Sequence, residues 1–209
     1  MFGFLSSVIA IILAVSVHEF AHAFMANRLG DPTARVAGRL TLNPLKHFDL
    51  VGTLSLILFG IGWGKPVPFN PDNLRSPKRD SALIALAGPV SNLLTAVLFA
   101  IPLKYLADAG FRQLPFYDLM GYIFSMSILL FALNVLPFPP FDGSKIIGLF
   151  VPQRYHFVYE KYLREGVKYV VIFILLDVFI LQKVFNFSIL HTIVVKMTMW
   201  IIALISLGT

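Results

Sequence analysis

A His-Glu-Phe-Ala-His run occupies positions 18–22, and its residue types and spacing suit one task. A helix turns every 3.6 residues, so His18 and His22 lie one turn apart on a single face. There two imidazoles hold one divalent ion while Glu19 stands beside the open coordination position. This is a metalloprotease signature. Its setting adds weight, because the stretch from Phe2 to Met25 is otherwise almost wholly apolar. Ionisable groups in hydrocarbon are costly without partners and mark functional sites, so chance occurrence is the weaker reading.

A second chemical cluster reads Asn134-Val-Leu-Pro-Phe-Pro-Pro-Phe-Asp142-Gly143. Pro137, Pro139 and Pro140 cannot donate backbone hydrogen bonds and therefore break a helix. Non-helical backbone at membrane depth is tolerated only where protein or water satisfies it. Such a break marks a cavity, and Asp142 beside it is a candidate third ligand, giving a His2Asp site with water in the fourth position. Alone, Asp142-Gly143 reads as a turn. Asn134 has two readings, an amide bridging helices or a group acting on substrate.

The elements that position these groups must be membrane helices. Apolar residues make up 57% of the 209-residue chain and charged residues 13%, with a mean hydropathy of +0.80. That is too apolar for the surface of a soluble domain. The formal charge of +6 raises the question of nucleic acid, but the basic residues cluster in loops between apolar segments and no phosphate-binding glycine loop is present. With no cysteine, any catalytic metal rests on His and carboxylate. The first segment lacks a basic start and a small-residue cleavage site, so retention of the His pair is expected.

Apolar segments run over about 2–26, 51–63, 82–103, 120–137 with an extension at 141–151, 167–182 and 187–207. Crossing about 30 Å of hydrocarbon takes roughly 20 residues, so 51–63 is expected to be re-entrant or interfacial. The expected fold class is an all-α polytopic membrane protein with about five transmembrane helices, that short segment, and a small β-like element near the site. A weak two-residue alternation over 35–42 and an extended, Pro-rich 64–71 suggest an edge able to pair with an unwound substrate strand. One domain is expected over 1–209, with a core at 1–165 and a helical pair at 166–209. With the first helix running outside to inside, all Lys and Arg except Lys104, Arg112, Lys183 and Lys196 fall inside, thirteen of seventeen. This topology brings His18, His22 and the 134–143 cluster to one depth on the cytoplasmic side.

The chain resembles the site-2 protease family of intramembrane zinc metalloproteases, peptidase family M50. The likeness rests on HEFAH at 18–22, on Asn134-x-x-Pro-x-Pro-Pro-x-Asp142-Gly143 and on Gly88-Pro89-Val90-Ser91-Asn92 between them. Leu29-Gly-Asp-Pro-Thr, Leu42-Asn-Pro-Leu-Lys46 and Gly64-Lys-Pro-Val-Pro68 support it. It covers about residues 10–165 and implies a short form without a PDZ insertion or an appended nucleotide-sensing (CBS) module. It further implies one Zn2+ on His18, His22 and Asp142, Glu19 as general base, and Asn134 holding substrate or intermediate. The substrate is then a transmembrane protein or peptide in the lipid bilayer of the cell, with no nucleic acid involved.

Glu19 takes a proton from water activated by the ion and passes it to the leaving amine, and Asn134 donates to the developing oxyanion. A competing class is a membrane metal transporter or a catalytically silent scaffold, which gains little from a carboxylate beside an open position. Other polar groups have weaker claims. His47 and Asp49 suit outer support or an interfacial anchor, Asp177 suits a pair with Lys196 or a water path, and Gly88, Pro89 and Ser91 suit close packing and a kink. Asn92 divides evenly between facing the site and joining helices.

Overall fold

The computed structural model describes residues 2–59 and 64–208, and every regular element among them is helical. The first helix, α1, runs Phe2–Arg28. It stops where Gly30 takes a left-handed φ of +104° and the Asp31 amide closes back on the Ala26 carbonyl at 3.0 Å. A short α2 (Thr33–Val36) and α3 (Leu50–Phe59) follow, then the longest helix, α4 (Pro77–Asp108). The chain continues through α5 (Pro115–Asn134), α6 (Asp142–Ile147) and α7 (His156–Leu176). A π-helical turn at Asp177–Leu181 leads to α8 (Gln182–Phe185) and α9 (Ile189–Gly208).

Among the described residues, four helical stretches are long and apolar enough to cross a membrane: Gly3–Arg28, Pro77–Asp108, Pro115–Asn134 and Ile189–Ser206. The chain is a multi-pass, all-α membrane protein. The segment expected at 167–182 is the apolar end of α7 together with the π-helical turn after it, and α7 carries Glu160, Lys161, Arg164, Glu165 and Lys168 within its first thirteen residues. The segment expected at 51–63 is α3, ten residues and so about 15 Å long, too short to cross. Its last four positions, 60–63, lie outside the described residues.

The alternation over 35–42 does not make a strand. Arg35 and Val36 belong to α2, and Gly38 at φ +67° turns the chain immediately afterwards. The described residues contain one antiparallel bridge, Phe48 with Gly64, beside which the Lys65 amide donates to the His47 carbonyl at 2.8 Å.

The packing follows membrane logic. Most of the buried apolar side chains are alanines, including Ala10, Ala14, Ala23, Ala26, Ala82, Ala85, Ala96 and Ala132, whereas Phe4, Leu94, Leu98 and Trp200 are exposed. Lipid is as apolar as leucine, so helices associate by close approach of small residues rather than by hiding large ones. Through these contacts α1, α4 and α5 pack mutually. On their flank α9 packs on α5 around Ala132, Leu136 and Val194.

Candidate metal centre

His18 and His22 sit two-thirds of the way along α1, both buried, with their rings edge to face. The proline run ends α5 at Asn134, and Asp142 opens α6 after it, so the break delivers a buried carboxylate to the same place. His18 Nε2 lies 3.1 Å and His22 Nε2 3.0 Å from one oxygen, Asp142 Oδ2, and the two Nε2 atoms are 2.9 Å apart. Residues 120 or more apart in the chain thus aim three ligand atoms at a common point.

Each of the three has a second anchor. His22 Nδ1 is 2.7 Å from the Ile84 carbonyl of α4, and His18 Nδ1 is 3.2 Å from the side-chain nitrogen of Asn92, also on α4. Lys145 Nζ, one turn along α6, is 3.4 Å from Asp142 Oδ1, the oxygen turned away from the rings. Neighbouring glycines make the approach possible. A methyl group at Gly88 would stand 2.4 Å from His22 Nε2 and 2.7 Å from His18 Cε1. One at Gly143 would stand 2.3 Å from the Leu136 carbonyl oxygen.

The donor set fits a metal. A carbonyl only accepts, so the His22 ring donates from Nδ1 to Ile84 and its Nε2 carries a lone pair. That lone pair faces a carboxylate oxygen 3.0 Å away, an arrangement of two acceptors that a cation between them resolves. Two imidazoles and one carboxylate are the three protein ligands of a catalytic zinc site, which keeps its fourth position for water or substrate. Glu19 is half-buried, and its Oε2 is buried without a hydrogen-bond partner among the described residues. A buried polar atom of that kind is costly and points to a group it is built to meet.

Asn134 is not joined to this cluster. Its side-chain nitrogen donates to the Leu130 carbonyl of its own helix at 3.0 Å. His47 is fully buried, but its Nε2 engages the Thr41 carbonyl at 2.7 Å, and Asp49 accepts from the Gly52 amide at the start of α3. Asp177 does not reach for Lys196. It is buried and accepts from the Ser188 hydroxyl and from the Ile189 and Leu190 amides, capping α9.

Arg39 had only a topological meaning in the sequence, yet it is buried. Its guanidinium donates to the Lys46 and Lys65 carbonyls and, at 3.3 Å, to that of Pro66, tying 46–48 to 64–66. Burial pushes the Arg39 guanidinium below its ordinary value, and the negative charge of Glu19 opposes that. Arg39 directly follows the left-handed turn at Gly38, which redirects the chain there.

The sequence profile of peptidase family M50 matches residues 6–113, a stretch holding the His pair and the Gly88–Asn92 motif. The chain belongs to peptidase family M50. It is 39% identical over 150 residues to YwhC of Bacillus subtilis, named as a candidate zinc metalloprotease, covering 69% of this chain and 68% of that one. The protein Rip2 of Mycolicibacterium smegmatis, named likewise, is 31% identical over 137 residues, and that of Mycobacterium tuberculosis 34% over 145. The chain spans about two thirds of YwhC and about half of the Rip2 proteins, 52% in each case. No solved structure matches it significantly. As an M50 peptidase it is an intramembrane zinc metalloendopeptidase, with Zn2+ as its metal.

Proposed function

We propose that this M50 peptidase hydrolyses peptide bonds in or near transmembrane segments of membrane proteins, with zinc on His18, His22 and Asp142 and with Glu19 as general base. The observation that carries the reading is the convergence of His18 Nε2, His22 Nε2 and Asp142 Oδ2 at 2.9–3.1 Å in a buried site. Zinc held there supplies Lewis-acid activation of water and of the scissile carbonyl.

Glu19 accepts the proton of the attacking water and later gives it to the leaving amine. A carboxylate positioned for proton transfer serves first as base and then as acid in this way. Lys145 holds the outer oxygen of Asp142 and so orients the inner one. Asn134 serves the oxyanion only after its amide leaves Leu130, a rotation that substrate contact would drive. The substrate segment must unwind before its amide is exposed, which favours Gly, Pro or Asn near the cut. Among the described residues the antiparallel bridge at Phe48 and Gly64 offers extended backbone for such a strand to join.

Five crossings, with α7 and its continuation as the fourth in order, fit the inside bias of Lys and Arg. They set the site towards the cytoplasmic face of the cell membrane within a single domain. Glu19→Gln tests the chemistry. The purified variant is expected to retain one zinc per chain, measured by elemental analysis, while cleavage of a model transmembrane substrate falls roughly 10²–10⁴-fold. Cleavage at the wild-type rate would remove Glu19 from the mechanism, and zinc transport in proteoliposomes unaffected by the variant would favour a transporter.

A further inference from the structure

We propose that α4 sets the proton positions on both imidazoles, through the Ile84 carbonyl for His22 and through Asn92 for His18, with Asn92 as the positioning residue that selects the metal-binding tautomer of His18. The inference rests on the reading of His18, His22 and Asp142 as zinc ligands. An imidazole binds a metal through a nitrogen that bears no proton, so each ring must place its single proton on the far side, and outer partners decide where it goes.

For His22 the partner is backbone. Its Nδ1 gives its proton to the Ile84 carbonyl at 2.7 Å. Gly88 contributes no side chain, so the α4 backbone comes close enough for the His22 ring to use its Ile84 carbonyl. Ser91 closes the turn after Gly88, its hydroxyl donating to the Gly88 carbonyl at 2.7 Å.

For His18 the partner is a side chain that can face either way. Asn92 is fully buried, and its Oδ1 has no partner among the described residues. Its nitrogen, 3.2 Å from His18 Nδ1, donates to that atom, which leaves the ring proton on Nε2, pointing to Asp142 Oδ2. In this arrangement Nε2 offers no lone pair to a metal. The two ends of an amide have the same shape, so a half-turn of the Asn92 amide places Oδ1 against Nδ1 with little displacement of its neighbours. Oδ1 then accepts a proton on Nδ1, and Nε2 presents its lone pair. Between the two states the ring loses a proton at Nε2 and gains one at Nδ1, with no net change in its charge. An amide serves both states, whereas a carboxylate serves only the loaded one and a hydrocarbon neither.

The test uses the purified full chain, zinc affinity by competition with a chelating dye, and ¹⁵N NMR of the histidine rings. Zinc-loaded wild type is expected to show His18 protonated at Nδ1. Asn92→Leu, of similar size, is expected to bind zinc 10–100-fold more weakly. Asn92→Asp keeps the acceptor and is expected to hold zinc within about 3-fold of wild type with the same ring signature. Rescue by Asp separates positioning from space filling and keeps the test decisive should the Leu variant fail to fold. Wild-type affinity in Asn92→Leu, equal weakening in both variants, or loaded His18 unprotonated at Nδ1 would each overturn the proposal. Zinc binding that is unchanged by Asp142→Ala would instead overturn the ligand assignment beneath it.

Discussion

Two buried aspartates sit at two irregularities of helix, and they do different things. Asp142 comes after the proline run and Asp177 opens a π-helical turn, and both are nearly inaccessible, at 6% and 0% exposure. The carboxylate of Asp177 is met by donors alone, a hydroxyl and two amides of the next helix. One oxygen of Asp142 meets two ring nitrogens, at least one of which presents a lone pair. A buried carboxylate met by donors alone is a structural cap, and one whose oxygen also faces a ring lone pair suits a cation between them. Burial alone does not separate the cases. The sign of the neighbours does.

Replacing each aspartate with alanine breaks the comparison most sharply. Asp142→Ala is expected to lower zinc affinity by more than the roughly 10–100-fold that outer-shell losses produce, read by dye competition, with little change in thermal unfolding. Gly143→Ala comes next. Its new methyl group would press on the Leu136 and Val135 carbonyls, so a loss of about 1–3 kcal/mol in detergent-based unfolding is expected, together with reduced zinc content as Asp142 is displaced. Asp177→Ala should leave zinc stoichiometry unchanged and cost about 1–2 kcal/mol, as caps do.

Asp31 sharpens the rule with a third example. It is fully buried at the end of α1, and it accepts from Thr33, from the Asn73 side chain and from the Asn70 amide. Burial works against its charge, but these donors outweigh it and hold the carboxyl below its ordinary value of 3.8. A depressed carboxyl stabilises the fold fully above its unfolded value and loses that contribution as pH falls through the folded one. Unfolding midpoints of wild type and Asp31→Asn should therefore differ by a constant amount from pH 7 to 5, and converge as pH drops below 4.

The long apolar helices, the His pair and the helix break at 137–140 were legible because each is a local property: a run of hydrophobicity, a one-turn spacing, a set of missing amides. The pairing of His18 with Asp142 was legible as well, since topology brings both to one depth. The partners across helices were not. Asn92 is 74 residues from His18, and helical periodicity gives a face without naming what the face meets. Arg39 read as one more inside charge, because a count of Lys and Arg does not distinguish a solvated guanidinium from one spent on three carbonyls. The alternation over 35–42 failed for the same local reason that made it visible, being too short to outweigh a helical turn and a left-handed glycine.

Alanine has no χ angle to turn. A bundle interior built from Ala10, Ala14, Ala23, Ala26, Ala82 and Ala85 therefore cannot absorb an extra methylene by choosing another rotamer, and whole helix axes must slide apart instead. Because α1 carries the imidazoles and α4 their anchors, variation at these plain positions is transmitted as a change of ligand spacing. Sites many ångströms from any ion thereby become determinants of how tightly it is held.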